Sequence, residues 1–149
     1  MATGALRDAL ALRKDDCYES PVETAHALMR CEALPARLWE PACGPGALVR
    51  EFRGAGHDVI ATDLVDYGLE DSQPGIDFLM EHCAPEGAAC IVTNPPFKLA
   101  PEFARHGLEL CDTVILLLRV VGQFEIWGLG PGRTIIAGRG RRNMWELHI

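Results

Sequence analysis

Four consecutive residues, Asn94-Pro95-Pro96-Phe97, carry the most specific chemistry in this chain. Each proline fixes its own φ and biases the residue before it toward extended backbone. An asparagine and two prolines at the end of an apolar stretch therefore form a rigid, extended turn. Such a turn holds the Asn94 side-chain oxygen and the Pro95 carbonyl at fixed positions. Two acceptors held that way bind both hydrogens of a planar amino group and draw its lone pair out of conjugation, toward an incoming electrophilic carbon. Phe97 offers a face for a planar group, as flipped bases stack on aromatic side chains. The same residues also fit a strand-ending turn with no chemistry, so the choice rests on the rest of the chain.

A second constellation lies upstream. Glu40-Pro41-Ala42-Cys43-Gly44-Pro45-Gly46 falls between an apolar stretch and a helix-like segment over 47–55 that Gly56 closes. Glycines in such a loop let the backbone turn sharply and come close to a ligand. Residues 58–62 are β-rich and end at Asp63, about 20 residues past the loop, where a carboxylate accepts hydrogen bonds from ribose hydroxyls; Asp66 is a nearby competitor. The full dinucleotide fingerprint is missing, since Leu48 and Val49 stand where its third glycine would fall. Glu40 repels phosphate and suits a cationic ligand or a ribose. This chemistry favours S-adenosylmethionine over NAD, with catalysis that is mostly positioning in line with the sulfonium methyl. No general base is required, because the methylated amine is acidic and loses its proton to water.

The elements that position these groups follow from periodicity and punctuation. Residues 5–14 have the spacing of a short amphipathic helix. Ser20, Pro21 and Glu23 read as N-cap, first-turn proline and first-turn acid of a helix over about 21–31, which Pro35 breaks. Residues 66–73 read as a polar loop, and 77–80 as a short apolar patch. A buried strand over 88–93 leads into Asn94, a helix follows over about 101–110, and 113–121 is the most apolar strand. Strands that alternate with helices and are apolar throughout predict a parallel sheet covered on both faces. Beyond Arg119 only 134–137 reads as a further strand, and 139–142 is basic.

Composition narrows the class. The 149 residues suit one domain, with 48% hydrophobic and 23% charged residues. No apolar run approaches the roughly 18–20 residues of a membrane span, which points to a soluble, cytoplasmic protein. A net charge of −7 argues against holding nucleic acid mainly by charge, but not against nucleic acid as a transient substrate. The six cysteines are scattered, with no CxxC pair and no histidine at metal spacing, so free, mostly buried thiols are expected and no metal site.

On the motifs quoted above, the chain resembles the S-adenosylmethionine-dependent amino-methyltransferases with an NPPF/Y motif, and among them the adenine-specific (N6) DNA methyltransferases, including phage-like ones. The resemblance covers residues 16–119 and implies the seven-stranded, Rossmann-like class I methyltransferase fold, an α/β architecture with a mostly parallel sheet. It implies that Tyr18 and Pro21 contact the methionine end of the cofactor, that Glu40, Ala42, Cys43, Gly44 and Gly46 wrap it, and that Asp63 binds its ribose. It further implies that Asp77 and Phe78 contact its adenine, and that Asn94, Pro95, Pro96 and Phe97 form the catalytic motif.

The expected organisation is thus a single methyltransferase domain: an N-terminal helix in 1–15, the family-like core over 16–119, and an atypical tail over 120–149. The tail is short and rich in glycine and arginine. It leads us to expect a sheet shortened at its C-terminal strands, with about two strands missing or improvised. The implied reaction is methyl transfer to the exocyclic N6 amine of a flipped adenine in DNA. Two alternatives stay open: another planar nitrogen, in an RNA base or a protein glutamine, and a non-catalytic remnant that still binds the cofactor.

Overall fold

The structure is a computed structural model that describes residues 22–117, 134–139 and 143–148. Helix α1 (Val22–Cys31) precedes strand β1 (Arg37–Glu40), helix α2 (Ala47–Gly54) and strand β2 (Asp58–Thr62). A two-residue strand β3 (Ser72–Gln73), a 3-10 turn (Phe78–Met80) and strand β4 (Cys90–Thr93) follow. A second 3-10 turn (Phe97–Leu99) runs into helix α3 (Ala100–Leu110) and strand β5 (Thr113–Leu116), with β6 (Thr134–Arg139) and β7 (Asn143–His148) after it. The expected helix over 5–14 lies outside the described residues, as do Tyr18 and Pro21. No helix among the described residues is long and apolar enough to cross a membrane.

The first five strands form an all-parallel sheet in the order β3-β2-β1-β4-β5, consistent with a Rossmann-like fold. Its strands are apolar on both sides because both sides are covered. Ala25 and Leu28 of α1 and Leu48, Val49 and Phe52 of α2 pack with Leu38, Val59, Ala61, Val92 and Ile115. Phe103, Ala104 and Leu108 of α3 pack with Trp39, Ile91, Val114 and Leu116. The alternation Leu38/Trp39 or Ile91/Val92 thus sends neighbouring side chains into different cores. β6 adds to β5 in parallel and β7 to β6 antiparallel. The tail therefore contributes two strands, where the sequence led us to expect a shortened sheet.

β3 was read as loop. Two residues carry no usable alternation, and only backbone pairing of Ser72 and Gln73 with Ala61 and Thr62 defines the strand. Below it the edge of β2 is blunted by Arg53, whose Nη2 donates to the Val59 carbonyl at 2.9 Å, so that this carbonyl is taken before another strand can reach it.

The thiols behave as buried hydrophobes. Cys43, Cys90 and Cys111 are buried, while Cys83 is exposed. Burial, with Cys111 nearby, pushes the Cys90 thiol up to about 12, and burial, with Asp112 beside it, pushes Cys111 up to about 11. Raised values in the folded chain mean that this contribution to stability is present below the unfolded value of 9.0 and is lost as pH rises through 9 toward 12. Iodoacetamide at pH 8 is expected to label Cys83 rapidly, and Cys90 and Cys111 only on unfolding; peptide mapping by mass spectrometry reads the order.

Candidate active site

In an open parallel sheet, ligands bind outside the carboxyl ends of the strands where the strand order reverses. Here the order runs outward from β1 to β2 and β3 on one side and from β4 to β5 on the other, so the reversal lies between β1 and β4. Glu40 ends β1 and the glycine loop 41–46 follows it. Asp63 follows β2, and Asn94 follows β4. The registers Glu40↔Ala61 and Trp39↔Ile91 bring these three strand ends to one sheet edge. Residues more than 50 apart in sequence thus stand at the same end of adjacent strands.

The two carboxylates shape the loop themselves. Glu40 is 2% exposed, and its Oε1 accepts the Ala42 N–H at 3.0 Å. Asp63 is equally buried; Oδ2 accepts the Gly44 N–H at 2.9 Å and Oδ1 the Val65 N–H at 2.8 Å. A carboxylate has about four acceptor positions, so tying the loop and receiving a ligand hydroxyl are compatible tasks. Asp66 is exposed and closes a local turn through the Gly68 N–H at 2.8 Å. Of the two acids, it is Asp63 that stands against the loop.

Ala42 and Cys43 are buried, one in each core, so what they present to a ligand is backbone. The Cys43 N–H donates to the Thr62 carbonyl at 3.1 Å and crosses from the loop to β2. The two loop glycines serve different ends. Gly44 has φ +54, and a Cβ built on it would meet nothing within 4 Å. Gly46, the N-cap of α2, has φ +95, and its Cβ would lie 2.5 Å from a methyl of Leu69. Only Gly44 therefore turns an open side outward. Gly46→Ala is expected to cost about 2–4 kcal/mol, from overpacking and left-handed strain together. Gly44→Ala costs about 1–2 kcal/mol from strain alone, and weakens ligand binding beyond that loss. Urea denaturation of both variants, compared with their ligand affinities, checks the contrast.

Asp77 and Phe78 sit on the α3 side of the sheet. The Asp77 Oδ1 caps the 3-10 turn by accepting the Leu79 N–H at 3.1 Å. The Phe78 ring is 2% exposed, packed 5.2 Å from Trp39 and 4.7 Å from Phe103, so the ring itself offers no open face. His106 of α3 stands edge-on to that ring and bonds through Nε2 to the Glu81 carbonyl at 2.8 Å, pinning the turn to the helix.

After β4, Pro95 and Pro96 are buried and Asn94 is half-buried. The Pro96 carbonyl accepts the Leu99 N–H at 2.8 Å and starts the turn that leads into α3. Phe97 opens that turn, and its ring lies outside the described atoms. Two polar features escaped the sequence reading. Trp39 Nε1 donates to Thr62 Oγ1 at 3.0 Å, and Thr93, wholly buried beside Asn94, has a hydroxyl with no partner among the described residues. Leu69 was missed as well, although a lone leucine in the polar stretch 66–73 was the available signal. No cluster of metal-ligating side chains occurs among the described residues.

No protein-family model matches the chain, and no curated protein matches it.

Proposed function

We propose that this chain is an S-adenosylmethionine-dependent methyltransferase that modifies an exocyclic amino group, with the N6 amine of adenine in DNA as the acceptor. One observation supports the reading: the carboxylate-tied glycine loop, Asp63 and the Asn94-Pro95-Pro96 turn follow β1, β2 and β4 at the carboxyl end of the sheet, on either side of the point where the strand order reverses. The residues fit the cofactor. Gly44 leaves open space at the loop, the buried carboxylates of Glu40 and Asp63 face it, and the nearby Arg50 guanidinium donates to the Pro45 carbonyl at 2.8 Å, an arrangement that suits ribose hydroxyls and a sulfonium.

When bound, S-adenosylmethionine supplies an electrophilic methyl group. Asp63 would accept from the ribose, the loop 40–46 would wrap the chain of the ligand, and Asp77 with the Phe78 backbone would meet its adenine. Asn94 Oδ1 and the Pro95 carbonyl accept the two hydrogens of the acceptor amine and direct its lone pair. The Pro96 carbonyl accepts the Leu99 N–H and so fixes the turn that carries Asn94 and Pro95. Transfer would break the sulfonium S–CH3 bond as the N–C bond formed, leaving S-adenosylhomocysteine; the methylated amine would then give its proton to water, and no side chain need serve as base.

The acidic balance favours a second acceptor class. A net charge of −7 is a poor match to a long polyanion, and a protein glutamine presents the same planar amino group without phosphates. Labelled S-adenosylmethionine offered separately to unmethylated DNA, RNA and protein extract separates the classes. N6-methyladenine found in DNA nucleosides by mass spectrometry is the expected result. Label in protein alone would transfer the reaction to glutamine, and bound cofactor without transfer to any acceptor would make the chain a binding remnant.

A further inference from the structure

The segment between β2 and β3 is bolted to α2 at both ends of that helix. At the C-terminal end, Arg53 Nη1 donates to the Glu70 carbonyl at 3.2 Å, and Nη2 to the Asp71 carbonyl at 2.9 Å. At the N-terminal end, Leu69 fills the space in which Gly46 would carry a side chain: Cδ1, Cδ2 and Cγ lie 2.5, 2.8 and 3.2 Å from that Cβ position. The leucine itself is held. Its carbonyl accepts the Ser72 hydroxyl at 2.7 Å, the Asp66 turn precedes it, and its side chain packs on the core beneath α2.

This arrangement has a chemical consequence. A phosphate bound at a helix N-terminus needs close approach to backbone N–H groups there. Beside Gly46 the space at the Cβ position is filled by hydrocarbon, the Gly46 N–H is spent on the Cys43 carbonyl at 3.0 Å, and the Arg50 guanidinium at this loop donates to the Pro45 carbonyl at 2.8 Å. Glu40 and Asp63 tie the other side of the loop with negative charge. The open side at Gly44 is left for a ligand without phosphate.

We infer that Leu69 is a positioning and specificity-determining residue for the glycine loop: it backs Gly46 and closes the start of α2 to diphosphates, so that the site selects an adenosyl ligand lacking phosphate. The inference rests on the cofactor reading above. Because Leu69 acts through the loop, its removal changes cofactor binding and leaves the acceptor turn at Asn94 as it was.

Calorimetric titration of the wild-type chain, Leu69→Ala and Leu69→Met with S-adenosylhomocysteine, NAD and ATP tests it. Thermal denaturation confirms that the variants are folded, and Leu69→Met keeps the volume of the side chain. The wild type is expected to bind S-adenosylhomocysteine and neither NAD nor ATP. Leu69→Ala should bind S-adenosylhomocysteine about tenfold more weakly, or ~1.4 kcal/mol, and Leu69→Met close to the wild type. In methyl transfer, Leu69→Ala should raise KM for the methyl donor by a similar factor while kcat and KM for the acceptor hold. Wild-type binding that Leu69→Ala leaves unchanged overturns the inference and spares the cofactor reading. Binding of NAD or ATP by the wild type overturns the phosphate exclusion. A wild-type chain that binds no S-adenosylhomocysteine overturns the cofactor reading and the inference together.

Discussion

Replacing Asn94 by alanine is expected to lower kcat for methyl transfer by about 10²–10³ or more, the scale seen when one preorganised polar group is removed from a reacting centre. In the proposed mechanism the side-chain oxygen is half of the pair that receives the amine. Without it the acceptor is held by the Pro95 carbonyl alone, and its lone pair is no longer aimed. Backbone around it should hold, because Pro95 and Pro96 are buried and the Pro96 carbonyl starts the turn into α3. Binding of S-adenosylhomocysteine should therefore change little, since the loop 40–46 and Asp63 lie on other strands. Single-turnover rates measured beside calorimetric affinities decide the matter. Near-wild-type turnover by Asn94→Ala would end the proposed mechanism, whereas loss of binding as well would make Asn94 part of the cofactor site.

Asp63→Ala strikes stability and ligand affinity together. Removing the carboxylate strands the Gly44 N–H and the Val65 N–H, both in partly buried surroundings. At about 1–3 kcal/mol for each unsatisfied donor, the loss is about 2–6 kcal/mol. The glycine loop also loses its tie to β2, so the affinity for S-adenosylhomocysteine should fall by about tenfold or more, the worth of a single charge-assisted hydrogen bond. Asp63→Asn is no gentle substitute. Its NH2 group must face one of the two N–H donors, so at least one bond is replaced by a repulsive contact. Asp66→Ala provides the control: its carboxylate is exposed and serves a local turn, and the stability change should stay within about 1 kcal/mol. Urea midpoints for the three variants, read beside their affinities, check the ranking. An Asp63→Ala chain as stable as the wild type would show that the loop does not depend on this carboxylate.

Much of the architecture was legible because its signals are local. The glycine loop between a strand and a helix, the β-rich run ending at Asp63 and the proline turn after an apolar strand each lie within a dozen residues. Helix α1 and strand β2 fall where spacing placed them. Elements without a local signature were lost: β3 is two residues long, and β7 lies in a stretch rich in glycine and arginine that was read as tail. Burial of the Phe78 ring is likewise set by residues distant in sequence: Trp39, Phe103 and His106 enclose it.

The amino-acid sequence by itself determined the segments with a local signature, α1, α2, α3, β2, β4 and β5, because periodicity and Gly/Pro punctuation act over a few residues, and it supplied the residue types that a site can use. The tertiary structure alone decided where those groups meet. The strand order β3-β2-β1-β4-β5 depends on which helix covers which face of the sheet, and that order is what brings the ends of β2, β1 and β4 side by side. Only there does Asp63 rather than Asp66 reach the glycine loop, 19 residues back along the chain. Leu69 presses on Gly46 for the same reason: the distance between them is set by packing, which no spacing along the sequence encodes.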